Sequence, residues 1–323
     1  MATYKQIRGI QVQARDSDPT VAEGDVWYNA TTSVVKMYSY AAGTWATSDN
    51  INTARSESFG AGTNTASILW GGGGPKKLSE EYDGSSWAEG DDLNAEHVVS
   101  SGFGIQTAAL AVGSNDSVNA NVEQYNGSSW TEVGDLNTGR GQMGGTMAGT
   151  TTAGLVASGG NVTAGTALVE SWDGSSWTEI ADINTARRQG GGAGIQTSAL
   201  LFGGRINTPQ TGVTESWDGS SWTETGDLGQ ARYAAGYAGE SNSAGMISGG
   251  TYPPGNRVSI SEQFNGTSWS EQADLNSNRE HAGSGGRSTK NAFICSGSGP
   301  PGAANAGTEV WNAALEAQTV AFD

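Results

Sequence analysis

The chain has 323 residues, 50 of them glycine, and carries 16 Lys+Arg against 33 Asp+Glu for a net charge of −17. So acidic a chain repels phosphate backbones and anionic lipid, which argues against nucleic-acid binding, and no window is long and apolar enough to insert as a membrane helix. A single cysteine, Cys295, rules out an internal disulfide framework; its Ala-Phe-Ile-Cys setting predicts a buried structural thiol rather than a nucleophile.

Residues 1–21 carry no repeat and lack the apolar core of a signal peptide, so they read as an extended N-terminal arm. Residues 22–50 read as a three-strand meander: Asp25–Asn29, Val34–Tyr40 and Thr44–Thr47. Its end, Tyr40-Ala-Ala-Gly-Thr-Trp45, looks like a shortened copy of a hairpin that recurs down the rest of the chain. The full copies are Glu80–Trp87, Glu123–Trp130, Glu170–Trp177, Glu215–Trp222 and Glu262–Trp269, and a fragment, Glu309-Val-Trp311-Asn312, follows them. In each, Asp-Gly or Asn-Gly with two hydroxyl residues makes a tight loop. That loop sets an aromatic (Tyr82, Tyr125, Trp172, Trp217, Phe264) opposite a Trp on the returning strand, a cross-strand pair worth roughly 0.2–1 kcal/mol.

Each unit also holds a stretch of small residues and an apolar run ending in a glycine doublet or a remnant of one: Ala66–Gly72, Ser198–Gly204 and Ala244–Gly250 are full examples, and weaker versions end at Gly113, Gly160 and Gly297. That is four short strands per unit, and six units fill residues 51–323. Such a unit cannot bury its faces alone, so copies must stack, and glycine suits a first strand crowded near an axis. The expected fold is all-β, a β-propeller. Residues 22–323 form it, with 22–50 as a partial blade or cap. Seven blades are favoured, the meander being completed by a C-terminal strand at 318–322; six blades with an N-terminal cap is the alternative.

The glycine doublet followed by an aromatic and then Trp resembles kelch repeats, over roughly residues 50 to 315. The chain also resembles the Gly/Ser/Thr-rich repeat proteins of marine bacteriophage tail and fibre genes. That likeness rests on Gly24-Asp-Val-Trp-Tyr-Asn29, the Asn-Gly-Ser-Ser-Trp hairpins, Asn-Thr-Ala-Arg (52–55, 184–187) and Gly-Ile-Gln-Thr (104–107, 194–197). It implies a virion component assembled in the host cytoplasm.

Two rings of charge repeat. Glu80, Glu123, Glu170, Glu215, Glu262 and Glu309 precede the first aromatic, and across the hairpin they face Glu89, Glu132, Glu179, Glu224 and Glu271. Like charges placed opposite destabilise a sheet. The expectation is an outer flank with each carboxylate in water or reached by a neighbouring basic side chain; a calcium ion between the carboxylates is the alternative, and no cofactor is expected. The second ring is Asp92, Asp135, Asp182, Asp227 and Asp274, with Asn50 as its first member, and Arg55, His97, Arg140, Arg187, Arg232 and Arg279 lie five residues after the six positions in turn. Asp at a turn and Arg at the next strand are expected to pair, or to bond free carbonyls, at every blade junction; a basic mouth able to hold an acidic sugar or a partner's carboxylate is the functional reading.

No catalytic set stands out. His97 and His281 lie in separate repeats without a cysteine partner, no Gly-x-Ser-x-Gly elbow is present, and Gly71–Lys77 lacks the Gly-Lys-Ser/Thr ending of a phosphate loop. Catalytic and metal residues are therefore expected to be none. The loops between second and third strands vary most, and Arg205, Tyr252 and Arg257 on them are the candidate recognition residues. The expected function is a non-enzymatic virion protein, a propeller shown on the tail, fibre or capsid exterior. Residues 1–21 would dock it to other virion proteins of a symmetric assembly, and its loops would meet a host glycan or protein. A carbohydrate-binding or carbohydrate-cleaving propeller and a kelch-type protein adaptor are the alternatives.

Overall fold

The computed structural model describes residues 13–19, 25–115, 119–145, 148–160, 164–206, 210–253, 255–299 and 302–320. The chain divides into two units, residues 1–43 with 313–323, and residues 44–312. Among the described residues there is no helix.

The smaller unit is one four-stranded sheet. Strand β1 (Gln13–Arg15) runs parallel to β2 (Val26–Asn29), which pairs antiparallel with β3 (Val34–Tyr40), and Leu315–Thr319 closes the other side of β3. Trp27 and Tyr38 are buried on one face, 4.8 Å apart. Part of the predicted arm is thus a strand, and the C-terminal strand begins three residues earlier than the expected 318. Residues 1–12, 20 and 21 of that arm lie outside the described residues.

Among the described residues, the larger unit holds six antiparallel sheets of four strands each, beside one short two-stranded ribbon. The first strands are Phe59–Thr63, Ser101–Ile105, Gly144–Gly145, Gly191–Ile195, Gly236–Ser241 and Gly283–Gly285. Each packs beside the first strand of the next sheet, and the sixth packs beside the first. Glycine permits that approach: a Cβ on Gly192 would stand 2.4 Å from the carbonyl oxygen of Gly145 in the neighbouring blade. Apolar second strands, such as Ser198–Phe202, fill the space between blades, with Leu200, Leu201 and Phe202 all buried. The lone Cys295 lies in this layer, fully buried, and its surroundings push the thiol up to about 12.

The ring closes at six, so the seventh four-stranded sheet belongs to the smaller unit and the favoured seven-blade count gives way to the six-blade alternative. The predicted meander is split in the same way. Thr44–Ser48 leaves it to become the outermost strand of the sixth blade, paired with Thr308–Asn312. Trp45 is therefore no member of a local hairpin with Tyr40. It stands opposite Trp311, ring centroids 5.4 Å apart, and completes a set of six aromatic pairs. The other five are cross-strand partners as expected: Tyr82/Trp87, Tyr125/Trp130, Trp172/Trp177, Trp217/Trp222 and Phe264/Trp269, at 5.0–5.3 Å. In the hairpin loop the Asp83 carboxylate accepts N–H bonds from Ser85 and Ser86. The Ser86 bond leads the causes that draw its pKa down to about 2, and Asp173 and Asp218 repeat the arrangement.

Candidate functional site

The repeated glutamates are reached by neighbouring basic side chains, as expected, but they are buried rather than in water. Glu80, Glu123, Glu170, Glu215, Glu262 and Glu309 are all buried, and each is held by the linker that enters its own blade. Arg55, Arg140 and Arg232 donate to Glu80, Glu170 and Glu262; Arg187 and Arg279 reach Glu215 and Glu309 at 2.7 Å, and His97 stands 3.3 Å from Glu123. Backbone N–H groups of the linker complete the carboxylate, as at Asn184 N to Glu215 Oε2, 2.7 Å. This removes the cost of the opposing Glu224, because one carboxylate of the facing pair is already neutralised by a cation and amides. At Glu123, burial raises the pKa, and the His97 bond and linker N–H groups outweigh it, so the net direction is down.

The expected Asp–Arg pairing is corrected by the same contacts. Asp92, Asp135, Asp182, Asp227 and Asp274 are all exposed, and the arginines turn inward to glutamate instead. A long guanidinium stem reaches the buried carboxylate under the hairpin, where desolvation makes a charged partner worth more than a bond in water. Buried and each already held by a glutamate, Arg55, His97, Arg140, Arg187, Arg232 and Arg279 do not form a ligand-facing basic mouth. They lock each linker to its blade.

Two residues beyond each lock the backbone turns left-handed: Glu57, Val99, Gln142, Gln189, Ala234 and His281 have φ of 45–61°. None is glycine, and such φ values cost non-glycine residues energy unless the surroundings impose them. Here a circle of backbone bonds imposes them. Glu57 N donates to His281 O, Val99 N to Glu57 O, Gln142 N to Val99 O, Gln189 N to Gln142 O, Ala234 N to Gln189 O and His281 N to Ala234 O, at 2.7–3.1 Å. The six links close the axial ring. A cavity of about 50 Å³ lies at it, lined by side chains that include Glu57, Val99, Gln142, Gln189 and His281. Gln189 Nε2 and His281 Nε2 are 2.9 Å apart. Burial holds the His281 imidazole below its ordinary value, against the upward pull of Glu280 and Glu57.

The position between lock and ring breaks the repeat. On blades 1–3 it is Ser56, Val98 and Gly141; on blades 4–6 it is Arg188, Tyr233 and Glu280. Each of the latter bridges the start of the variable loop, Arg188 opposite Arg205, Tyr233 opposite Thr251 and Glu280 opposite Ser298. Arg205 lays its guanidinium over the Tyr233 ring, 4.9 Å from the centroid. Arg257, on the short ribbon Thr251–Tyr252 with Asn256–Arg257, binds Glu280 at 2.7 Å, and Thr251 donates to the same carboxylate. Arg205 and Arg257 thus share one face of the ring. Tyr252 is half-buried on the ribbon opposite Asn256; among the described residues no side-chain hydrogen bond, ion pair or ring contact ties it to the cluster. Tyr233 thus has one ring face taken by Arg205.

Two features escaped the sequence. The left-handed ring has Glu, Val, Gln, Gln, Ala and His at its six positions, none of them a residue type that marks such turns. The repeat-breaking trio was visible as the residue after each lock, but only once the lock had been placed.

Six four-stranded sheets closed about one axis define a β-propeller, with a polar cluster on one side of its axial ring. No protein-family model and no curated protein matches the sequence. Among solved structures the fold resembles that titled "Structure of YjhT", with a TM-score of 0.68, 11% identity, and coverage of 84% of this chain and 99% of that one. At that identity the likeness is one of fold.

Proposed function

We propose that this chain is a non-enzymatic recognition propeller of a virion, binding a host-surface glycan through the axial face of blades 4–6. The observation that carries the recognition half is the one-sided break in the repeat. Arg188, Tyr233 and Glu280 stand where blades 1–3 have Ser56, Val98 and Gly141, on a ring whose backbone bonds repeat from blade to blade, and Arg205 and Arg257 contact them. A fold needs no such replacement, since blades 1–3 close without it. The virion half rests on the sequence resemblance of the hairpins and of Gly24–Asn29 to phage tail and fibre proteins, with residues 1–21 as the docking segment.

Mass spectrometry of purified particles tests the location, and a chain lacking residues 1–21 tests the docking. Finding the truncated chain still on particles would remove the docking role, and absence of the full chain from particles would remove the virion role. Release of reducing sugar from host polysaccharide, with turnover, would overturn the non-enzymatic reading.

A further inference from the structure

We infer that Arg188 and Arg205 form an oxyanion site that takes the carboxylate or sulfate of an acidic polysaccharide. The inference rests on the recognition reading above and names the ligand chemistry of its site.

The two arginines are backbone partners: Arg188 N donates to Arg205 O at 3.2 Å and Arg205 N to Arg188 O at 2.9 Å. Like charges set directly opposite destabilise a strand pair. Every arginine of the repeated lock has a glutamate or, in one unit, is replaced by a histidine that does. Arg188 and Arg205 have none among the described residues. Arg188 is 4% exposed, and the side-chain partner of its guanidinium is the neutral Gln142 Oε1 at 3.0 Å. The partner of Arg205 is the Tyr233 ring. Of the two carboxylates near this part of the ring, Glu280 is occupied by Arg257 and Thr251, and Glu57, which lines the axial cavity, makes no ion pair with Arg188 or Arg205 among the described residues. The Nε–H groups of both Arg188 and Arg205, and the Gln189 Oε1, are buried without a partner.

A buried cation without a counter-charge is costly. In a chain of net charge −17 a carboxylate could have filled the gap at many positions, yet blades 4 and 5 hold two guanidiniums and a tyrosine there. An incoming oxyanion would relieve the mutual repulsion and receive planar donors suited to carboxylate and sulfate alike. A saccharide fits better than an acidic peptide, because the Tyr233 hydroxyl and the Gln189 Oε1, which has no partner among the described residues, offer neutral hydrogen bonds suited to sugar hydroxyls. The global negative charge opposes any anion at long range. At about 0.15 M salt that repulsion is screened beyond roughly 8 Å while contacts at the site persist.

The test is isothermal titration of the full chain, at that salt, with an oligogalacturonate, a sulfated oligosaccharide and a neutral oligosaccharide of equal length. Binding of one or both acidic probes and not the neutral one is expected, and which of them binds separates carboxylate from sulfate. Arg205→Gln should weaken binding roughly tenfold or more. It should unfold at the same temperature as the parent or higher, since a like-charged neighbour of Arg188 is gone. Arg188→Gln should weaken binding at least as much. Equal binding of the neutral sugar, undiminished binding by both folded variants, or no binding of either acidic probe by the parent would overturn the site. The last result leaves particle association intact as a separate measurement, so loss of this site and loss of the virion reading are distinguishable.

Discussion

Trp45 and Trp311 stand opposite each other on antiparallel strands, and they are the aromatic pair through which the propeller closes. The five other pairs sit within hairpins and form locally. This one must bring together strands from the two ends of the ring-forming segment, so its loop-closure cost is met only when the other blades are in place. Trp45→Ala should therefore destabilise the chain by about 3–5 kcal/mol, as for a buried Trp elsewhere, and should also expose Thr308–Asn312 to protease before the rest of the ring opens. Simultaneous cleavage throughout the ring would argue that closure is not a separable step.

The Glu215 carboxylate neutralises Arg187 in a site closed to water. Glu215→Gln keeps the volume and leaves the guanidinium buried without its charge partner, a loss of about 3–5 kcal/mol. For a unit of this size that is a fall in Tm on the order of 5–10 °C, read by calorimetry. Asp182→Asn, at the exposed member of the same linker, should change stability by less than about 0.5 kcal/mol. Equal effects of the two substitutions would restore the Asp–Arg pairing as the junction contact.

Glycine at the axis is a demand of space. A methyl group on Gly192 meets backbone of the next blade at 2.4 Å, whereas one on Gly299 meets only a side-chain nitrogen at 3.7 Å. Gly192→Ala should destabilise by about 1–3 kcal/mol as overpacking does, and Gly299→Ala should be neutral within about 0.5 kcal/mol. Chemical denaturation of both variants checks the contrast.

His281 titrates inside the axial ring, among Glu280, Glu57, Arg205 and Arg257. Its folded pKa lies below its ordinary 6.5 because burial favours the neutral ring. The unfolded chain therefore takes up the proton first as pH falls. The stability this group contributes is complete above about pH 6.5 and is lost progressively below it. The hairpin aspartates, held near 2, do not enter until pH drops below about 4. Tm should accordingly fall from pH 7 to pH 5, and His281→Gln should flatten that slope. Gln is chosen because Gln142 and Gln189 already occupy equivalent left-handed positions. A slope unchanged in the variant would assign the loss to another group.

The repeated hairpin was legible from the residues because its information is local. An Asp-Gly or Asn-Gly loop with its hydroxyl residues fixes the register, and the register places Tyr82 against Trp87 with no help from the rest of the chain. The same holds for the four-strand unit and for the small residues where first strands crowd together. Partners chosen across long separations were not legible. Trp45 reads equally well as the end of a local hairpin, and only the need to cover the open edge of the last blade sends it to Trp311. Arg187 has both Asp182 and Glu215 within its repeat, and burial decides for Glu215 because a desolvated carboxylate attracts it more strongly than an exposed one. The chain alone determined that sheets of this kind must stack into a propeller. The tertiary structure decided that six close the ring, that its charges are locks, and that the unbalanced ones gather on a single side, since closure and desolvation act only once every blade is in place.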